Sequence, residues 1–186
     1  LQALARLGWC RHSKFQEALA WLDEAAPRSD RGGWLSVGGG EETSECETTP
    51  VAVLDALTAC GFSNRAALKE RAAGAVRRML ASAGSSEVQL GFPNFDRTDT
   101  AEALATLARA NVAFTAEMRP ALSALQQAQD DRARWARSIG VPESLPIGRR
   151  PQVGEPSRWI TLNATVAVLH YAVEAQLPRM FPAKPT

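Results

Sequence analysis

The chain has 186 residues, 45% of them hydrophobic, and its 21 Lys and Arg against 20 Asp and Glu give a formal net charge of +1. This length and apolar content predict a folded domain and exclude a disordered chain. The balanced charge argues against a nucleic-acid partner or a polybasic membrane contact. No apolar run reaches the ~18 residues that a transmembrane segment needs.

Neither a Met nor a signal peptide opens the chain, and residues 1–8 resemble the end of an Ala/Leu-rich helix. We therefore expect an N-terminal part before Leu1. The three cysteines, Cys10, Cys46 and Cys60, are odd in number and widely spaced. This pattern favours a reducing, cytoplasmic compartment over a disulfide framework.

Apolar periodicity predicts an all-α chain, because no segment alternates with the period of two that strands show. The predicted helices are 1–8, 14–25, 50–60, 65–82, 99–110, 115–129 and 158–174. Gly8 and Gly61 are the expected stops, and the expected caps are Ser13, Thr48 or Thr49, Ser63 or Asn64, Thr98 or Asp99, and Ser157.

Two kinds of helix alternate along the chain. Three are apolar on nearly every face and are expected to be buried: 50–60, 99–110 and 158–174. The helices that alternate with them are amphipathic: 14–25, 65–82 and 115–129. The alternation predicts an inner layer of buried helices ringed by an outer layer, in a single domain over 1–177 with a Pro-rich tail over 178–186.

A unit with similar spacing appears twice. Leu4 precedes Trp34 of "DRGGW" by 30 residues, and Leu104 precedes Trp135 of "DDRARW" by 31. Each Trp follows a predicted helical hairpin, so the pattern indicates a helical repeat. We expect these Trp side chains, and that of Trp159, to plug the junctions between hairpins rather than to act in a site.

The segments "FQEALAWL…DRGGW", "CETTPVAVLDAL", "LGFPNFDRTDTAEALATLA" and "PSRWITLNATVAVLHY" resemble the prenyltransferase and squalene-cyclase repeat, the α/α toroid. In particular, the chain resembles bacterial squalene-cyclase-like proteins of unassigned activity. The resemblance implies inner helices around a cavity for a hydrophobic or isoprenoid ligand. About three and a half hairpins make an incomplete ring, so we expect an apolar flank on the first helix and a protein segment that completes the toroid.

The resemblance also suggests catalytic candidates. Cyclases of this family protonate an alkene through an Asp-x-Asp-Asp motif. The most similar segment of this chain is "FDRTDT", which contains Asp96 and Asp99. Asp99 with Glu102 also fits a helix capping box. Asp55 and Asn163 interrupt apolar helices, so each is either a hydrogen-bonded structural group or a residue that lines the cavity.

Metal and anion sites are two further expectations. Protein prenyltransferases hold zinc through an Asp-x-Cys pair and a His; here Ser44 replaces the Asp before Cys46, and His12 could complete a site. The alternative is a loop cysteine, and no cofactor is otherwise expected. Arg150 and Arg158 near a helix N-terminus would suit a diphosphate, or would pack against carboxylates.

Three functional hypotheses remain: a toroid with an apolar ligand but without catalysis, a non-enzymatic interaction scaffold, and a cyclase or transferase whose acids precede Leu1. A ligand site predicts an enclosed apolar pocket near Asp55, Asp99 and Asn163. A scaffold predicts a filled centre and an apolar outer patch.

Overall fold

The computed structural model describes residues 1–36, 45–62, 64–82, 88–92, 94, 97–140 and 151–175. It confirms the all-α prediction: these residues form seven α-helices and two short 3₁₀ turns, with no strand beyond isolated bridges. None of the helices in these ranges is both long and apolar enough to cross a membrane. Backbone contacts divide the chain into two compact units, Leu1–Met79 and Leu80–Thr186.

The first unit contains α1 (Gln2–Arg6), α2 (Ser13–Glu24), α3 (Thr48–Cys60) and all but the last residues of α4 (Ala66–Ser82). α1 packs against α3. Gly8 and Gly61 follow α1 and α3 in the left-handed region, with φ of 82° and 63°, where a residue without Cβ is favoured. Both predicted helix stops are therefore confirmed.

The cap of α2 differs from the prediction. Ser13 is the first helical residue, and His12 holds the cap position, where its Nδ1 accepts from the Lys14 amide at 3.2 Å. The apolar face of α2 is buried as expected, through Phe15, Leu19 and Leu22.

A disulfide joins Cys10 to Cys60, with the two Cα atoms 5.6 Å apart. The expectation of no disulfide is therefore wrong. The bond connects the turn after α1 to the last residue of α3. It therefore adds a covalent link to the packing of α1, whose one buried residue is Ala5, against α3.

The second unit contains α5 (Thr100–Arg109), α6 (Arg119–Gln127) and α7 (Arg158–Tyr171), with α5 packed against α7. α5 is buried along almost its whole length, as predicted, and so is most of α3. Tyr171 is fully buried, and its hydroxyl donates to the carbonyl of Val112 at 2.9 Å.

α7 corrects the prediction of a helix buried on every face. One face is buried through Ile160, Ala164, Ala167, Val168 and Tyr171. The opposite face leaves Leu162 and Leu169 exposed by 51% and 59%. An apolar composition on every face therefore does not show that neighbours cover each face. The layered toroid and the single domain over 1–177 stay predictions, and the tail 178–186 lies outside the described residues.

Candidate functional site

The two tryptophan loops have the same local construction. In the first unit Trp34 is buried and its Nε1 donates to the carbonyl of Leu22 at 3.0 Å; in the second, buried Trp135 donates to the carbonyl of Leu125 at 2.6 Å. Each Trp carbonyl then accepts from a backbone amide just before the next helix, that of Cys46 or Ser157. The structural role predicted for these two residues is confirmed.

Trp159 is different, because 45% of its surface is exposed. Its ring stacks on Phe92 at 5.4 Å between centroids, and the Arg158 guanidinium lies 5.3 Å from the ring centroid. Arg158 is thus used in a cation–π contact. Arg150 lies outside the described residues, so the diphosphate site stays a prediction.

Asp55 is held by an arginine. Its carboxylate is buried on α3, and each of its two oxygens accepts from Arg6 of α1 at 3.1 Å. Asn163, the polar residue on α7, has a matching environment, because its Oδ1 accepts from Arg109 at the end of α5. In each unit, an arginine at the end of one helix donates hydrogen bonds to a polar side chain on the helix packed against it.

The helix ends show how the two units correspond. Arg6 lies two residues before Gly8, and Arg109 lies two residues before Asn111, which also has a positive φ of 52°. This alignment matches Leu4 with Leu107 rather than with Leu104. The tryptophan loops and the helix ends of the two units therefore correspond, with the first helix shifted by about one turn from the correspondence that the sequence suggested.

Asp99 is a buried cap of α5. One carboxylate oxygen accepts from the Glu102 amide at 2.6 Å, and the other accepts from the Gly91 amide at 3.0 Å. Burial raises the pKa of Asp99, although these amides and the Asn94 side chain oppose the shift. The carboxylate thus joins the 88–91 segment to α5, as the capping interpretation expects. Asp96 lies outside the described residues.

Arg137, which the sequence analysis did not single out, is buried near Asp99 and Glu155. Burial lowers its pKa, and the charges of these two carboxylates oppose that shift. Among the residues that the structure describes, its Nε has no hydrogen-bond partner. No motif marks a single Arg in a loop, so only the folded chain could reveal this burial.

The residues of the expected zinc site do not come together. His12 caps α2 and stacks on Trp9, whereas the Cys46 thiol is hydrogen-bonded to the hydroxyls of Thr48 and Thr49. Among the residues that the structure describes, no group of three or more His, Cys, Asp or Glu is placed to hold a metal ion.

The exposed face of α7 forms an apolar stripe. We define the α7 stripe as the exposed Trp159, Leu162, Leu169 and Val173 together with the half-buried Val166; Val173 lies in the turn just after the helix. They recur at alternating intervals of three and four residues, as in a coiled-coil seam.

The first helix shows the expected apolar flank, with Leu4, Leu7 and Trp9 exposed.

Comparisons with protein-family models, with curated proteins and with solved structures gave no match. The resemblance to the α/α toroid therefore stays a prediction from the sequence.

Proposed function

We propose that this chain is a non-enzymatic interaction module that self-associates, with the α7 stripe of one copy packing against α7 of a second copy. The supporting observation is the exposure of large apolar side chains at heptad spacing on a helix whose other face is packed. Val173, in the turn after α7, is 88% exposed and extends the stripe.

The polar candidates favour this function over catalysis. The Asp55 carboxylate is paired with a guanidinium, and the Asp99 carboxylate accepts from backbone amides. Both groups are satisfied within the fold, which is what structural polar groups require. The apolar or isoprenoid ligand, and an enzyme whose acids precede Leu1, are hypotheses that rest on the toroid resemblance alone.

Sedimentation of the purified chain over a wide micromolar range tests the proposal. We expect reversible self-association, and Leu169→Glu should weaken it at least ~10-fold, because a charge then replaces buried apolar surface. The matched control is Val153→Glu, since Val153 is 60% exposed but lies in a loop outside the stripe. A wild-type chain that stays monomeric at the highest concentration would refute the proposal.

A further inference from the structure

A cleft of about 240 Å³ lies within the first unit, between the end of α2 and the start of α3. Its walls are mainly apolar and include Trp21, Leu22, Pro27, Trp34 and Leu35. A dry cavity of ~150 Å³ accommodates benzene, so this cleft has room for a molecule of one or two rings.

The lining of the cleft also includes Cys46 and Thr49. All three cysteines lie in the described part of the chain, and Cys46 is the one outside the disulfide. Its Sγ accepts from the Thr49 hydroxyl at 3.0 Å and lies 3.4 Å from the Thr48 hydroxyl. A half-buried residue with a free thiol therefore lines a space that fits a ligand.

The surroundings of Cys46 favour the thiolate. Burial raises its pKa, but hydrogen bonds from the side chains and amides of Thr48 and Thr49 outweigh that effect, so the pKa is lowered. Cys46 also lies just before the N-terminus of α3, where the helix dipole stabilises negative charge.

We propose that this cleft binds a small apolar molecule carrying an alkene conjugated to a carbonyl group, and that the Cys46 thiolate adds to that alkene. The sulfur forms a bond to the β-carbon, the π electrons move onto the carbonyl oxygen, and the α-carbon then takes a proton from water. There is no leaving group and no redox step. Such an addition requires only a thiolate and a positioned acceptor, which the cleft supplies.

The test compares two maleimides, N-phenylmaleimide and the anionic N-(2-carboxyethyl)maleimide, in their rates of reaction with Cys46, followed by intact-protein mass. Rates with glutathione correct for intrinsic reactivity. We expect a corrected preference for the phenyl reagent of at least ~10-fold, because the cleft removes the ring from water. The phenyl rate should also saturate with concentration. A corrected ratio near one with linear kinetics would overturn the proposal.

Three variants separate binding from thiol activation. Trp21→Ala removes a cleft wall and should reduce the phenyl preference, whereas Trp9→Ala removes a similarly exposed Trp elsewhere in the unit and should preserve it. Thr49→Val should slow both reagents by similar factors, since it replaces the hydroxyl that donates to the sulfur with a methyl group of similar size and so nearly preserves the shape of the cleft. If Trp21→Ala, shown to be folded by circular dichroism, retains the full preference, the cleft is not the binding site.

Discussion

Arg6 of α1 donates to both carboxylate oxygens of Asp55 on α3, at 3.1 Å each. The pair is asymmetric in its exposure, because the Arg6 side chain is 60% exposed whereas that of Asp55 is 7% exposed. The charge of the buried Asp55 carboxylate is therefore compensated by a guanidinium that is largely exposed to solvent. In the second unit, Arg109 makes the same kind of contact with a neutral partner, Asn163.

Arg6→Ala should lower the free energy of unfolding of the first unit by about 1–2 kcal/mol, because it leaves a buried carboxylate unpaired. Urea denaturation followed by circular dichroism measures this change. Asp55→Asn should cost less than Arg6→Ala, because a neutral amide needs no charge compensation.

The control for this pair is Arg11→Ala, an exposed arginine near α1 that should change stability by less than ~0.5 kcal/mol. In the Asp55→Asn background, the cost of Arg6→Ala should shrink. An undiminished cost in that background would show that Arg6 stabilises the unit by packing rather than through Asp55.

The Cys10–Cys60 disulfide closes a sequence separation of 50 residues, so its loss should destabilise the first unit by about 4 kcal/mol in the chain-entropy account. Cys10→Ser or Cys60→Ser should show this loss in denaturation under non-reducing conditions. Cys46→Ser is the matched control and should leave stability nearly unchanged. The unreduced, denatured chain should titrate one thiol; three thiols would exclude the bond.

Trp135→Phe should destabilise the second unit by about 2–3 kcal/mol, because it leaves a void and an unpaired carbonyl at Leu125. Trp159→Phe is the matched control, since Trp159 is half-exposed and should cost less than ~1 kcal/mol. Urea unfolding monitored by near-ultraviolet circular dichroism distinguishes them. Equal costs for the two would contradict the structural role assigned to the tryptophan loops.

Helix ends were largely predictable because they depend on nearby residues. Gly8, Gly61, Asp99 and Ser157 act as the sequence predicts, since a left-handed φ or a side chain that caps an amide three residues later is a local property. The predicted cap of α2 is wrong because His12 rarely serves this role, while the neighbouring Ser13 often does. The predicted cap of α3 is wrong too, because Glu47 holds the cap position without a side-chain hydrogen bond and Thr48 is the first helical residue.

Contacts between distant segments could not be predicted in this way. The Cys10–Cys60 bond and the Arg6–Asp55 pair both require α1 to lie on α3, and neither spacing contains that information. The exposed face of α7 was missed for a related reason. The apolar composition of a helix face shows that burial of that face would be favourable. Whether the face is buried depends on which other elements pack against it.

Asp99 makes a pH-dependent contribution whose sign follows from its burial. Because burial raises its pKa in the folded chain, the native state binds the proton more tightly than the unfolded state does. The stabilisation is therefore complete below the unfolded value, about 3.9, and is lost as the pH rises through the folded pKa. Asp99→Asn is the reference, because it keeps a good cap residue. The free energy of unfolding of the wild type minus that of Asp99→Asn should be largest near pH 4 and should decrease towards pH 7.

Urea denaturation of both proteins across this pH range measures the difference. Asp131→Asn is the control, because Asp131 is an exposed carboxylate of the same unit, and its difference from the wild type should stay nearly flat. If the wild type instead gains on Asp99→Asn as the pH rises, the amide hydrogen bonds of Gly91 and Glu102 outweigh burial. The buried carboxylate would then be favoured in its charged form, as at an ordinary solvated cap.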